Sequence, residues 1–230
     1  MDSRKLIFAA AIVLAIVPAR SAFAADDLQT VLRKLDTASA NFRSTSADFE
    51  FDTVTTVPIY DKDVQKGVVY YKRDANNAQM AAHINEVNGR SVPKVVVGSG
   101  GKIKLYEQKV NQVTVLTKFS QYQDWFMLGF GASGKELQQK WDIKYLGSEK
   151  IDGINTDKLE MIAKDPAVRK NVLKLTLWMD SERGVSVRQL FDQGQGQTRT
   201  CHYTNIKMNQ SLPSDAFTFK TDKQTRTITQ

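Results

Sequence analysis

Apolar residues recur at every second position through short segments of this chain, and turns rather than helices join most of the segments. A period of two gives a strand one face for a core and one for water. Within 46–57, Phe49 and Phe51 oppose Asp48, Glu50 and Asp52. Within 112–118, Val113 and Val115 oppose Thr114 and Leu116. Leu173, Leu175, Leu177 and Met179 alternate against Lys174, Thr176 and Trp178, which predicts a half-buried strand. Further strands are predicted at 67–73, 79–87, 95–97, 102–110, 143–148, 156–163, 185–191, 198–208 and 217–220. Gly98-Ser99-Gly100-Gly101 and Asp152-Gly153 have the composition of hairpin turns. Parallel strands need long crossovers, so the roughly ten or eleven strands are expected in an antiparallel meander. The 20 valines and 18 threonines agree, because β-branched side chains favour strands.

Two stretches break the alternation. After Asp26 and Asp27, Leu28, Val31, Leu32 and Leu35 recur at i, i+3, i+4 and i+7, and Phe42 continues the stripe. That spacing predicts an amphipathic helix with negative charge at its N-terminus, where the helix dipole favours it. In mid-chain, 121–129 holds Tyr122, Trp125, Phe126, Met127 and Leu128 without alternation, and Gly129, Gly131 and Gly134 follow. Short helical elements are predicted here and over 135–141, with the glycines as flexible joints. No linker of domain size and no internal repeat divides the chain.

Ahead of the first helix, Arg4 and Lys5 precede an apolar run over 6–17, Pro18 ends it, and Ala22-Phe23-Ala24 has small residues at both ends. The run is too short to span a bilayer, which takes about 20 residues. Basic, apolar and small-residue regions in that order make a secretory signal peptide, with cleavage expected after Ala24. Residues 1–24 are then removed, and 25–230 remain as a single exported domain of 206 residues. No cysteine follows the apolar run, so no lipid anchor is expected at the mature N-terminus.

The chain has 32 Lys and Arg against 25 Asp and Glu, a net charge of +7 that falls to +5 without Arg4, Lys5, Arg20 and Asp2. The two signs are interspersed in no long block, so nucleic acid is not an expected partner, while weak attraction to anionic membranes stays open. Cys201 has no second cysteine to pair with and reads as a strand residue near the core. His83 and His202 are isolated, and no spacing resembles a zinc or iron site. Gly98-Ser99-Gly100 precedes a strand, lacking the strand-to-helix setting of a nucleophile elbow and the spacing of a phosphate loop. The residues predict no catalytic centre, no metal and no cofactor.

Lys34-Leu35-Asp36 with Phe42 and Phe49, Gly67 with Tyr71-Lys72-Arg73, and Gly101-Lys102 with Leu105-Tyr106 and Val113-Thr114 follow one another along the chain. Phe126-Met127-Leu128 and Ala216-Phe217-Thr218-Phe219 come after them. In that order and spacing the chain resembles the LolA-type periplasmic carriers, the outer-membrane lipoprotein-sorting proteins, over nearly all of 26–220. The resemblance implies a mainly β fold: one highly curved antiparallel sheet, an unclosed barrel, with an N-terminal helix and mid-chain lid helices over its concave face. It also implies a monomeric periplasmic carrier of lipoprotein acyl chains, served by an inner-membrane release transporter and an outer-membrane acceptor. By resemblance, Arg73 is the latch that hydrogen-bonds the lid over the empty cavity. Where the family usually has Pro next, this chain has Asp74, a carboxylate placed to pair with Arg73 and weaken the latch.

A triacyl anchor carries on the order of 45 methylenes at about 0.8 kcal/mol each, so a soluble carrier needs an apolar concavity and a cover for it. Phe49, Phe51, Ile103, Leu105, Val113, Val115, Leu175 and Leu177 lie on apolar strand faces and are expected to line that concavity; each is equally a residue that a half-barrel core needs. Trp125, Phe126, Met127 and Leu128 are the expected lid, or an ordinary core helix. Two other functions fit the same fold: a carrier of another lipid, and an RseB-like module that senses lipids or lipoproteins and signals envelope stress. Proteins of the second kind usually carry a further C-terminal domain. An enzyme reusing the cavity would need a polar triad inside it, and none is evident.

Overall fold

The structure, a computed structural model, describes residues 20–74, 77–117 and 128–230. Helix α1 (Arg20–Asn41) opens it. The helix begins ahead of Asp26 and Asp27, which stand in its second turn and not at its N-terminus. The residues before them include three alanines, the best helix formers, and periodicity by itself marks no start. The predicted stripe is the buried one: Val31, Leu32 and Leu35 are buried, as is Phe42 just past the helix end.

Strands β1 (Ser44–Thr55), β2 (Asp61–Asp74), β3 (Asn77–Val87), β4 (Arg90–Ser99), β5 (Lys102–Glu107) and β6 (Gln112–Leu116) follow. Helix α2 (Gly134–Lys140) leads to β7 (Trp141–Ile151) and β8 (Ile154–Ala163). A one-turn helix, α3 (Pro166–Arg169), precedes β9 (Lys174–Asp180), β10 (Val185–Gly194), β11 (Gln197–Met208) and β12 (Arg226–Thr229). Ser133 starts α2 with a reciprocal cap, its hydroxyl accepting from Glu136 N while the Glu136 carboxylate accepts from Ser133 N. Between β7 and β8, Asp152 and Gly153 take φ of +49° and +80°, the pair of left-handed residues that a two-residue hairpin requires.

Among the described residues, twelve strands form one sheet in the order β12-β6-β5-β4-β3-β2-β1-β11-β10-β9-β8-β7. All neighbours are antiparallel except β12 and β6, which run parallel. The sheet is curved, and its edges β7 and β12 do not meet, so the barrel stays unclosed. This is the single, curved, unclosed sheet that the resemblance implies. Two meanders, β1 to β6 and β7 to β11, are joined where β11 returns beside β1.

Two strand predictions need correction. No strand forms at 217–220. There the chain crosses other strands: Ala216 O accepts from His83 Nε2 at 2.9 Å, and Phe219 stacks on Tyr106 with ring centres 5.1 Å apart. The last strand forms further on, at β12, where the edge of β6 is open to pairing. Nor is β9 half-buried, since Thr176 and Trp178 are buried along with Leu175, Leu177 and Met179. Its second face is covered because Lys158 and Arg188 lie over the Trp178 ring, 4.8 and 5.7 Å from its centre, and Ile151 and Val187 pack beside it.

The inner face of the sheet holds two clusters. Beneath α1, Leu32 and Leu35 meet Leu137 of α2, Leu159 and Met161 of β8, and Leu175 and Leu177 of β9. Leu35 is fully buried, and truncation to Ala would cost about 2–5 kcal/mol. The other cluster gathers Phe42, Phe130, Phe49, Tyr71 and Tyr203. The helix therefore fills one half of the concave face and leaves the other to aromatic side chains. Among the described residues, no helix is long and apolar enough to cross a membrane.

Candidate functional site

Alternation along β1 sends Phe49 and Phe51 to the concave face, and pairing in register brings Val69 and Tyr71 of β2 and Met80, Ala82 and Ile84 of β3 alongside them. From the other side β11 contributes Cys201 opposite Phe51 and Tyr203 opposite Phe49, and β10 contributes Gln189, Phe191 and Gln193. Together with Val96, Val172, Gln65 and Arg199 these residues enclose a cavity of about 270 Å³. Tyr71, Met80, Cys201 and Tyr203 are buried, Phe51, Gln65, Phe191 and Gln193 are half-buried, and Arg199 is exposed. The cavity is thus closed at its tyrosine end and open at its arginine end. Gln193 Oε1 is buried near the mouth without a hydrogen-bond partner among the described residues.

Phe130 seals the closed end. Its ring stacks on Tyr71 at 4.0 Å and meets Tyr203 edge-on at 4.9 Å. The Tyr203 side chain lies with Tyr71 and Cys201 in one buried cluster. Burial pushes the Cys201 thiol up to about 12 and raises both tyrosine hydroxyls well above the ordinary phenol value. At neutral pH this end of the cavity is therefore uncharged.

The backbone around Phe130 is pinned to β10 and α1. Ser186 N donates to Gly129 O at 2.6 Å, Gly131 N donates to Gly184 O at 3.0 Å, and Gln189 Nε2 donates to Leu128 O at 2.6 Å. Gly131 has φ +69°, and a Cβ there would stand 2.4 Å from the Phe42 ring, so only glycine fits.

Arg73 Nη1 donates to Ser39 Oγ at 3.1 Å in the last turn of α1, and its guanidinium lies 5.6 Å from the centre of the Phe42 ring. Ser39 Oγ in turn donates to Gly131 O at 2.7 Å. Arg73 thus ties the end of β2 to the end of α1 and, through Ser39, to the stretch behind Phe130. Trp125, Phe126, Met127 and the Asp74 side chain lie outside the described residues. Leu128 is buried in the cluster beneath α1.

Of the eight residues expected along a cavity, Phe49 and Phe51 stand in this wall. Leu175 and Leu177 are fully buried beneath α1, Ile103 and Val113 are buried on β5 and β6, and Leu105 and Val115 are half-buried there. None of these six lines the cavity described. The wall's Tyr203, Cys201, Met80 and Phe191 were not anticipated as lining residues. The pairing of β1 with β11 that brings two of them opposite Phe49 and Phe51 spans some 150 residues of chain. Only the small alternating pair Cys201 and Tyr203 signals an inward face.

A largely apolar wall of this kind suits an apolar chain, which gains about 0.8 kcal/mol per methylene on leaving water. The volume is close to the lower bound of roughly 300 Å³ for ligand pockets, a scale for one acyl chain rather than three. Among the described residues, no group of three or more His, Cys, Asp or Glu is placed to hold a metal ion.

Residues 53–220 match the family model of the MucB/RseB N-terminal domain. A curated relative, the uncharacterized protein MJ0687 of Methanocaldococcus jannaschii, is 26% identical over 125 residues, which are 54% of this chain and 35% of that protein. An uncharacterized conserved protein of Thermus thermophilus superposes with a TM-score of 0.56 at 11% identity, covering 89% of this chain and 99% of that one. The Pseudomonas aeruginosa MucA/MucB complex superposes with a TM-score of 0.50 at 12% identity, covering 84% of this chain and 61% of the matched one. The chain thus spans about a third of the curated relative and under two thirds of the matched chain of that complex. At such identities the solved structures share its fold.

Proposed function

Because this chain belongs to the family of MucB/RseB N-terminal domains, we propose that it is an exported envelope protein that binds lipid acyl chains between Phe49, Phe51 and Tyr203 and releases them to an acceptor, without catalysis. One observation carries the proposal: a cavity with a largely apolar wall, uncharged and sealed at one end and open at the other. An acyl chain entering it loses contact with water and forces no charged group out of solvent at the sealed end. Among the described residues that line the cavity, the cationic one, Arg199, stands at the mouth, where a lipid headgroup would remain.

The resemblance to LolA-type carriers supports lipoprotein acyl chains as the cargo, with an inner-membrane release transporter as donor and an outer-membrane acceptor as recipient. The signal-peptide pattern of residues 1–24 supports the periplasm as its place and 25–230 as the working domain. In this scheme Trp125, Phe126 and Met127 cover the cavity, while Leu128, expected with them, is buried beneath α1 instead. Arg73, bonded to Ser39 and through it to Gly131, positions the chain leading out of that cover.

Family membership favours a second reading, in which the filled domain reports to a protein partner instead of delivering its lipid. The matched Pseudomonas aeruginosa structure is a complex of MucB with MucA, and a pull-down yielding one stoichiometric inner-membrane protein would favour this role. Acyl binding itself is tested by native mass spectrometry of protein purified from periplasm without detergent. Bound acylated species are expected, and a uniformly empty protein that also accepts no lipid in vitro would contradict the proposal.

A further inference from the structure

Five of the seven large apolar side chains that the described residues expose stand in connections at one end of the sheet. Val57, Ile59 and Tyr60, exposed by 62, 77 and 66%, form the tip between β1 and β2. Val110, 66% exposed, follows β5, and Leu173, 52% exposed, precedes β9. Antiparallel register puts these connections at the same end as the β10–β11 hairpin.

The cavity opens at this end. Arg199, at its mouth, pairs in register with Thr53 of β1 and Phe191 of β10. Three residues before it, Gly196 O accepts from both Thr56 N and Thr56 Oγ1, at 2.9 and 3.1 Å, and so holds the Val57–Tyr60 tip beside the mouth. On the other flank, Leu173 N donates to Asp192 O at 2.8 Å.

Charge at this end is lopsided. The connections 56–60, 88–89, 108–111, 164–173 and 195–196 contain Lys109, Lys164, Arg169 and Lys170 against a single acid, Asp165, whose carboxylate caps α3. Lys164 pairs with Asp142 at 3.9 Å. The other three cations are exposed and have no ion pair among the described residues. At the adjoining strand ends, Arg90, Lys174, Arg199 and Arg226 stand against Asp61 and Glu107, and the tail docked on Asn111 adds Asp222 and Lys223, so cations still outnumber acids.

We propose that this end of the sheet docks on an anionic lipid bilayer, with Val57, Ile59 and Tyr60 inserted among the headgroups and the cavity mouth turned towards the lipid. Separate apolar fingers on three connections offer no groove to a folded partner, whereas a bilayer surface deforms around each of them. Tyrosine is at home at the membrane–water boundary, its ring in the apolar layer and its hydroxyl hydrated. Unpaired Lys109, Arg169 and Lys170 supply attraction to anionic headgroups. The inference rests on the acyl-binding reading for what passes through the mouth, but docking is measurable without it.

The test is flotation of the purified protein with vesicles of phosphatidylethanolamine and phosphatidylglycerol, and with phosphatidylcholine vesicles. Binding to the anionic vesicles is expected, falling at least about tenfold in an Ile59→Ser, Tyr60→Ser double variant. Arg169→Gln with Lys170→Gln should weaken binding to the anionic vesicles and leave phosphatidylcholine unaffected. All four positions are exposed, so melting temperature and affinity for a fluorescent fatty acid should not change. A protein that does not float, or a double variant that floats as the parent does, overturns the proposal. Docking without fatty-acid binding would support the docking end and overturn the acyl-binding reading alone.

Discussion

Tyr71, Tyr203 and Cys201 meet at the sealed end of the cavity, all three of them buried. Burial favours the neutral form of all of them, which keeps an apolar pocket apolar at its floor. With its thiol held up to about 12, Cys201 should react with iodoacetamide at pH 8 far more slowly than the same residue in urea, because only about one thiol in 10⁴ is then ionised. A bound acyl chain should slow the reaction further, since Cys201 lines the wall. Equal rates in the folded and unfolded protein would contradict this placement. At this scale the sequence distinguishes poorly between residues of the same chemistry. Phe49 and Leu175 alternate alike, yet one borders the cavity and the other is sealed beneath α1. Which one meets a ligand is decided by where the helix docks, and no local pattern carries that.

The C-terminal tail is held to the sheet by a clamp of side chains. Asn111 Nδ2 donates to Asp222 Oδ1 at 3.0 Å, Gln224 N donates to the same oxygen at 2.8 Å, and Thr225 Oγ1 donates to Asn111 Oδ1 at 2.8 Å. The Asn111 amide, with help from the Gln224 N–H, holds the Asp222 carboxyl below its ordinary value of 3.8. The docked tail therefore takes up its proton at a lower pH than the free tail does. Docking is fully favoured above pH 3.8 and weakens as pH falls through the depressed value. Protection of the Arg226 and Gln230 amides, their exchange rates taken relative to unstructured peptide at the same pH, should fall on acidification below pH 4, and Asn111→Ala should abolish that dependence; protection in the parent that does not change with pH would contradict it. Elements with a strong local period were legible: the stripe from Leu28 to Leu35 gave the buried face of α1, and Asp152-Gly153 gave a hairpin. Elements shaped by remote contacts were not. Phe217 and Phe219 look like strand residues but lie across other strands, and Trp178 is covered by Lys158 and Arg188 from its neighbours.

At the scale of the molecule, a curved sheet, of twelve strands among the described residues, is filled on one half by a helix and left hollow on the other. The fold class was readable from alternation and turns, and the resemblance supplied the curvature. The cavity position depended on a return of β11 to β1 that spans most of the chain. Hollowness is what acyl binding requires, because an acyl chain needs space and not chemistry. Ala82 lines the wall between Val69 and Val96, its partners across β2 and β4. An Ala82→Trp side chain would occupy the space itself. The most direct measurement is a titration of delipidated protein with a fluorescent fatty acid, run beside Ala82→Trp with melting temperatures recorded for both. One saturable site in the parent, weakened at least about tenfold in a variant that still melts cooperatively, is the predicted result. No saturable binding in the parent, or equal affinity in a folded Ala82→Trp, would contradict it.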